Sequence, residues 1–180
     1  MDNFGNRVDY VPQAKPAQGR GRRPGAPAPG AGTGTAAPHR AGKTVILHMP
    51  MDPATGPFAW HPELPLAELE KRLNAALLAV PYAVGINNHM GSRMTAEPEA
   101  MTWLVAELQR RHLFLLDSRT SASTVAAAEA QRIGLASLSR DIFLDDERTA
   151  AAITAQFEAA IKLAHKQGSV VMIGHPYPMT

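Results

Sequence analysis

Short apolar runs alternate with longer helical patterns from Lys43 onward. The runs lie at residues 44–49, 82–86, 113–116, 136–139 and 169–173. Most of them are continuously apolar, as parallel strands buried on both faces are. The alternation of strands and helices predicts an α/β fold with a parallel sheet.

The segments between these runs carry apolar stripes and capping residues typical of helices. The stripes are Leu66, Leu69, Leu73 and Leu77 after Pro65; Met101, Leu104, Val105 and Leu108 after the expected cap Thr95; and Ile153, Phe157, Ile161 and Ala164. An alanine-rich helix is expected to open at Ser123 and to close at Gly134. Asp145 and Asp146 are expected to open the last helix.

The beginning of the chain differs in composition from the rest. Residues 1–43 hold six Pro, eight Gly and eight Ala, with 7 basic against 2 acidic residues, whereas residues 44–180 hold 11 against 14. So little large apolar surface cannot offset the entropy of ordering, which predicts a disordered tail over residues 1–42 and one folded domain over 43–180. Arg20, Arg22 and Arg23 have no interleaved aromatic residue to stack on bases, so a solvated linker is favoured over nucleic-acid binding.

Composition also limits the chemistry that the chain can carry. The sequence contains no cysteine, so any metal site must be built from histidine and carboxylate side chains. No apolar run reaches the roughly 18 residues of a membrane span, and the amino terminus lacks the apolar stretch of a secretory signal. We therefore expect a soluble chain without an export signal of its own.

Polar residues collect where the predicted strands end. They are His48; Asn87, Asn88 and His89; Asp117, Ser118 and Arg119; Arg140 and Asp141; and His175. The carboxyl ends of parallel strands meet at one edge of the sheet, where ligands and catalysis are placed. Five clusters at that edge predict a functional site there.

The residue types at this edge indicate hydrolysis assisted by a metal ion. The imidazoles of His48 and His89 could hold a divalent ion and leave positions open for water, and His175 could donate a proton to a leaving group. Asp117 and Asp141 could orient an imidazole, bind the metal or pair with an arginine. Arg119 and Arg140 could hold a carboxylate or an oxyanion.

Structural alternatives stay open for each of these residues. His48 could be a histidine of the core with its hydrogen bonds satisfied, and His175 before Pro176 could simply end a strand. Asp117 with Arg119, and Arg140 with Asp141, could form structural ion pairs. The remaining histidines lie in tail, loop or helix positions and receive no function: His39, His61, His112 and His165.

Five strings of the sequence resemble the divergent polysaccharide deacetylases, relatives of the metal-dependent carbohydrate deacetylases. They are LHMPMDP at 47–53, VGINNHMGSRMT at 84–95, LFLLDSRTS at 113–121, RDIFLDD at 140–146 and IGHPYPMT at 173–180. The resemblance runs from about Ala41 to Thr180. It implies a distorted (β/α) barrel, a divalent metal, expected to be zinc, and removal of an acyl group from an envelope carbohydrate.

Site residues follow from the resemblance position by position. His48 and His89 resemble the metal-binding histidines, and His175 resembles the late histidine that acts as general acid. Asp117 is assigned with His175 to catalysis. The resemblance also implies substrate contacts by Asn88, Ser118, Arg119, Arg140 and Asp141. Family members are typically bacterial and exported, which implies a periplasmic location.

The sequence departs from the family pattern in three places. Family members begin with a strand that ends in paired aspartates, and here the Pro/Gly/Arg-rich tail stands in its place. Asp52 stands where the family usually has Glu, and the family continues beyond the position of Thr180. We therefore expect an incomplete barrel, truncated at both ends. The alternative to a deacetylase is an inactive fragment, or a glycan-binding pseudoenzyme that lacks the Asp-Asp strand.

Overall fold

The computed structural model of the protein describes residues 33–180. The strands are β1 (Val45–Met51), β2 (Ala83–Met90), β3 (Phe114–Asp117), β4 (Ser137–Ser139), β5 (Ile142–Phe143) and β6 (Met172–Ile173). The α-helices are α1 (Thr33–Arg40), α2 (Leu66–Ala79), α3 (Pro98–Arg110), α4 (Ala126–Arg132) and α5 (Ala150–Gln167), with a 3₁₀ turn at Met94–Ala96. Arg20, Arg22 and Arg23 lie outside the described residues.

The main sheet is parallel and has the order β1-β2-β3-β4. A helix connects each of these strands to the next, and such crossovers are almost always right-handed, which places the helices on one face as in a sector of a (β/α) barrel. Strands β5 and β6 form a separate parallel pair in which Ile142 lies opposite Met172. The predicted α/β class with a parallel sheet is confirmed.

The core lies between the main sheet and the helices that follow its strands. Leu47 and Met49 of β1 and Ile86 of β2 are fully buried. The predicted stripe of α2 is buried at Leu69 and Leu73 but exposed at Leu66, and that of α3 is buried at Met101, Leu104, Val105 and Leu108. Helical spacing therefore identified the faces that pack on the sheet.

Helix starts differ from the predictions because side chains bond elsewhere. The Thr95 hydroxyl donates to the Gly91 carbonyl, and α3 begins at Pro98, where a missing N–H costs nothing. Helix α4 begins at Ala126 rather than Ser123, because the Thr124 hydroxyl accepts from Ala126 N and donates to Asp117.

The last helix begins later than predicted. Its cap is Thr149, whose hydroxyl accepts from Ala152 N, so the prediction that Asp145 and Asp146 open this helix is wrong. Its predicted apolar stripe is not a core face, since Phe157 is 47% and Ile161 44% exposed.

Helix α1 lies within the segment for which the sequence predicts disorder. Thr35 is buried, and the His39 ring stacks on Tyr82 with their centroids 4.1 Å apart. Helix α1 therefore packs against the rest of the fold through these contacts, which composition alone does not predict. In the described part of the chain, no helix is long and apolar enough to cross a membrane.

Candidate active site

Strands β1 and β2 bring the two predicted metal-binding histidines together. In the register of the pair, His48 lies opposite Asn87 and Pro50 lies opposite His89. Both strands run further than predicted, so Asn87 and His89 lie inside β2 and not after it, whereas His48 lies inside β1 as predicted. The Nε2 atom of His48 lies 3.1 Å from the Nδ1 atom of His89.

The amide of Asn87 orients the His48 ring. His48 Nδ1 lies 3.0 Å from Asn87 Oδ1, and Asn87 Nδ2 donates to the Ser118 hydroxyl at 3.1 Å. An amide oxygen only accepts, so Nδ1 carries the proton of the neutral ring and the Nε2 lone pair faces His89. This is the way in which a partner behind the ring fixes the tautomer of a metal-binding histidine.

Burial favours the neutral form of both rings. It lowers the pKa of His48 to about 4, although the hydrogen bond to Asn87 opposes the shift, and the charges of His89 and His175 lower it further. The pKa of His89 is also lowered, by burial and then by the charge of His175. Neutral imidazoles are the form that binds metal.

The separation of the two nitrogens fits one metal ion. Two ligand nitrogens on a tetrahedral zinc lie roughly 3.3 Å apart when each Zn–N distance is about 2.0–2.1 Å. The observed 3.1 Å between His48 Nε2 and His89 Nδ1 is close to that value. Among residues 33–180, however, no cluster of three or more histidine or carboxylate side chains is arranged to hold a metal. The described residues thus offer two ligand positions to an ion, His48 Nε2 and His89 Nδ1.

His175 forms a hydrogen-bonded pair with a buried carboxylate that the sequence reasoning passed over. Asp145 Oδ1 lies 3.0 Å from His175 Nδ1, and Asp145 Oδ2 accepts from His175 N at 2.6 Å and from the Thr180 hydroxyl at 2.9 Å. Burial alone would raise the pKa of Asp145, but these hydrogen bonds and the charge of His175 outweigh it and lower the pKa. The side chain of His175 is 38% exposed, and that of Asp145 is buried. His175 thus combines an anchored Nδ1 with an accessible ring.

Asp117, Asn88 and Ser118 hold the loop that follows β3. Asp117 is fully buried, and its two oxygens accept from Arg119 N and from the Thr124 hydroxyl. Asn88 Oδ1 accepts from Ser118 N at 2.8 Å, and its amide donates to the Met90 carbonyl. These contacts favour positioning roles for the three side chains.

Arg119 and Arg140, the two arginines at this edge of the sheet, do not pair with the neighbouring aspartates. Arg140 donates through Nε to the Ser118 carbonyl and through Nη2 to the Arg119 carbonyl. Asp141 accepts from Val171 N at 2.8 Å, which ties β6 to β5. Neither Asp117 with Arg119 nor Arg140 with Asp141 is an ion pair in the described residues.

A second imidazole–carboxylate pair lies just past β1. Asp52 Oδ2 lies 3.0 Å from His61 Nδ1 and accepts from Arg93 Nη1 at 3.1 Å. Arg93 also pairs with Glu63, whose pKa is lowered by a backbone hydrogen bond and then by the hydrogen bond from Arg93. The sequence reasoning gave His61 no function because of its position in a loop, and only the structure shows its pairing with Asp52.

Residues 26–180 match the family described as divergent polysaccharide deacetylase. The chain belongs to the divergent polysaccharide deacetylase family. The resemblance drawn from the five sequence strings is thereby confirmed.

Two curated proteins similar to this chain are described as uncharacterized. One, from Haemophilus influenzae, is 45% identical over 143 residues, which cover 77% of this chain and 51% of the relative. The other, YibQ of Escherichia coli, is 42% identical over 146 residues, which cover 79% of this chain and 46% of the relative. The chain therefore spans about half the length of the curated relatives that it matches.

A solved structure shares the fold of this deacetylase-family chain. It is the crystal structure of an uncharacterized protein from Agrobacterium tumefaciens C58, with a TM-score of 0.75 and 22% sequence identity, covering 78% of this chain and 60% of that one. At this identity the likeness shows the fold alone.

Two residues to which the sequence reasoning gave no part in the chemistry, Asn87 and Asp145, support the imidazoles. Asn87 was visible as a polar residue beside His89, and only the register places it behind His48. Asp145 belongs to the RDIFLDD string of the family, but its spacing from His175 shows no relation between them.

The role of Asn87 behind His48 gives a first prediction. Asn87→Ala is expected to weaken zinc binding by about 10- to 100-fold, because the His48 tautomer and ring orientation lose their anchor. Calorimetric titration with zinc measures the change. Asn74→Ala, in helix α2 away from the site, is the matched control and should bind zinc as the unchanged protein does. Equal affinity in all three proteins would contradict the assignment.

The depressed pKa of His48 gives a second prediction, which concerns this protein in the absence of metal. The folded pKa of about 4 lies below the ordinary 6.5, so stability is fully present above pH 6.5 and is lost as the pH falls towards 4. The loss is expected to reach about 3 kcal/mol across that window. Urea unfolding with a chelator at several pH values measures it. His48→Gln should lose less stability over the same window, and an equal loss would contradict the prediction.

Proposed function

We propose that this protein is a metal-dependent hydrolase that removes acyl groups from an envelope carbohydrate, with zinc as the expected ion. The observation that supports it most strongly is the pair of neutral imidazoles at the sheet edge, His48 Nε2 and His89 Nδ1, 3.1 Å apart. The family description supports the carbohydrate part of the proposal. A periplasmic site of action and a folded unit over residues 43–180 after a tail are parts of the same proposal.

His48 and His89 would hold two positions of the ion. Asn87 keeps the His48 lone pair turned towards that point, and burial favours the unprotonated form of both rings. A divalent ion bound there would polarise the acyl carbonyl and lower the pKa of a bound water.

His175 would handle the proton of the leaving group. Its Nδ1 is engaged by Asp145, which leaves Nε2 as the atom that can give a proton to the sugar nitrogen or oxygen. Asp145 fixes the direction of the His175 ring, and the carboxylate is itself held by two further hydrogen bonds, from His175 N and from the Thr180 hydroxyl. The charge of His175 contributes to the lowered pKa of both His48 and His89, which supports a place for His175 at the same site.

The test is release of acetate from acetylated oligosaccharides by the full chain. We expect release that depends on added zinc, stops with a chelator and falls by about 10²–10⁴-fold in His175→Ala. His112→Asn is the matched control, since His112 is exposed at the opposite edge of the sheet and its φ of 57° suits Asn. Acetate release that is the same in His175→Ala would refute the role given to this ring.

A second candidate is glycan binding without turnover. The specific observation for it is that residues 33–180 offer no cluster of three metal-binding side chains. Oligosaccharide binding by a chain that takes up no zinc and releases no acetate would favour this candidate. Hydrolysis by the same chain that disappears in His89→Ala would exclude it.

A further inference from the structure

Arg119 has a backbone conformation that only its surroundings can impose. Its φ is 48°, in the left-handed region that residues other than Gly, Asn and Asp rarely adopt. Its N–H donates to Asp117 Oδ1 at 2.8 Å, and its carbonyl accepts from Arg140 Nη2 at 2.7 Å. Strained residues of this kind cluster at ligand sites, where the surrounding structure holds them in place.

The residues on both sides of Arg119 are fixed as well. Ser118 N donates to Asn88 Oδ1, and the Ser118 carbonyl accepts from Arg140 Nε at 2.6 Å. The Thr120 hydroxyl donates to the Met90 carbonyl at 2.7 Å, which joins this loop to the end of β2, one residue past His89. The loop therefore presents the Arg119 side chain at the same sheet edge as the imidazole pair.

The Arg119 side chain itself is left free by all these contacts. It is exposed, and among residues 33–180 no hydrogen bond or ion pair engages its guanidinium. The carboxylate nearest in sequence, Asp117, is buried with both oxygens already bonded. Arg140 uses its donors on carbonyl oxygens and lies over the Phe143 ring, 4.9 Å from its centroid. Two guanidinium charges thus lie at this edge without a carboxylate ion partner in the described residues.

We infer that Arg119 binds a carboxylate of the carbohydrate, so that the preferred substrate is an acidic glycan that contains uronic-acid-like residues. The inference rests on the proposed function for the site but concerns binding, which can be measured without turnover. A free guanidinium has a planar fork of donors that matches a carboxylate in a two-point contact. An ordered loop that already fixes the Arg119 backbone reduces the entropy lost on binding to that of the side chain itself.

The test compares two oligosaccharides of equal length, a uronic-acid hexamer and a neutral N-acetylglucosamine hexamer. For the unchanged chain we expect the acidic hexamer to bind at least about 10-fold more tightly. Arg119→Asn suits the left-handed backbone and removes the charge, so it should lose that preference and bind both hexamers alike. Arg119→Lys should keep only part of the preference, because a lysine cannot make the two-point contact.

Two controls separate specific binding from general charge and from misfolding. Arg132→Asn removes the same charge at the end of α4, away from the Arg119 loop, and should bind the acidic hexamer as the unchanged chain does. Arg119→Gly should unfold at the same or a higher urea concentration than the unchanged chain while losing the same preference, since it relieves the backbone. The inference is overturned if the unchanged chain shows no preference, if Arg119→Asn keeps it, or if Arg132→Asn loses it equally.

The outcomes also distinguish this inference from the proposed function. Preference for the acidic hexamer that depends on Arg119, in a chain that releases no acetate, would leave the inference standing and refute the hydrolase. Acetate release that is equal on acidic and neutral acetylated glycans, and unchanged in Arg119→Asn, would support the hydrolase and refute the inference about Arg119.

Discussion

His89→Ala is expected to lower the affinity of the chain for zinc by more than about 100-fold. Loss of an outer partner of a metal ligand typically costs about 10- to 100-fold, and loss of a ligand itself costs more. Among the described residues, His48 and His89 are the two imidazoles placed to hold an ion, so the variant would keep only the His48 ligand. Acetate release is expected to fall with the metal.

The measurement is zinc stoichiometry and affinity by calorimetry, with bound metal counted by elemental analysis. His112→Asn is again the matched control and should bind about one zinc per chain, as the unchanged protein should. Circular dichroism checks that His89→Ala is folded, which is expected because His89 is only half-buried and no hydrophobic core contact depends on it. Tight zinc binding by His89→Ala would place the ion elsewhere and remove the main support for the proposed function.

Asp145→Ala is expected to destabilise the carboxyl-terminal part by on the order of 3 kcal/mol. Three donors lose one buried acceptor at once: His175 N, His175 Nδ1 and the Thr180 hydroxyl. A buried hydrogen-bonding group left without a partner costs about 1–3 kcal/mol, and water can reach part of this segment, which limits the total. Urea unfolding and amide exchange of residues 172–180 measure the effect.

The isosteric change Asp145→Asn separates positioning from folding. It keeps the size and an acceptor oxygen but removes the charge that faces the His175 ring. We expect kcat to fall by about 10²-fold with KM little changed, because the ring would act on the proton of the leaving group and not in substrate binding. Asp146→Asn, at the exposed neighbouring position, should leave kcat unchanged. A matching loss in Asp146→Asn, or full activity in Asp145→Asn, would contradict the role given to Asp145.

Local patterns were sufficient for most of the fold. The buried stripes of α2 and α3 and the four strands of the main sheet lie close to where apolar spacing predicts them. Errors arose where a polar side chain found a distant partner, as when Thr124 bonded Asp117 and moved the start of α4. The stripe of Phe157 and Ile161 was identified correctly as helical, but its exposure depends on what packs against α5.

The sequence by itself determined the alternation of strands and helices and the collection of polar residues where strands end, because both are local properties of the chain. The tertiary structure decided which of those residues meet. The register of β1 and β2 sets His48 against Asn87 and turns its Nε2 towards His89. The pairing of Asp145 with His175 joins positions 30 residues apart. Such contacts depend on strand register and on the path of the crossovers, which no local spacing encodes.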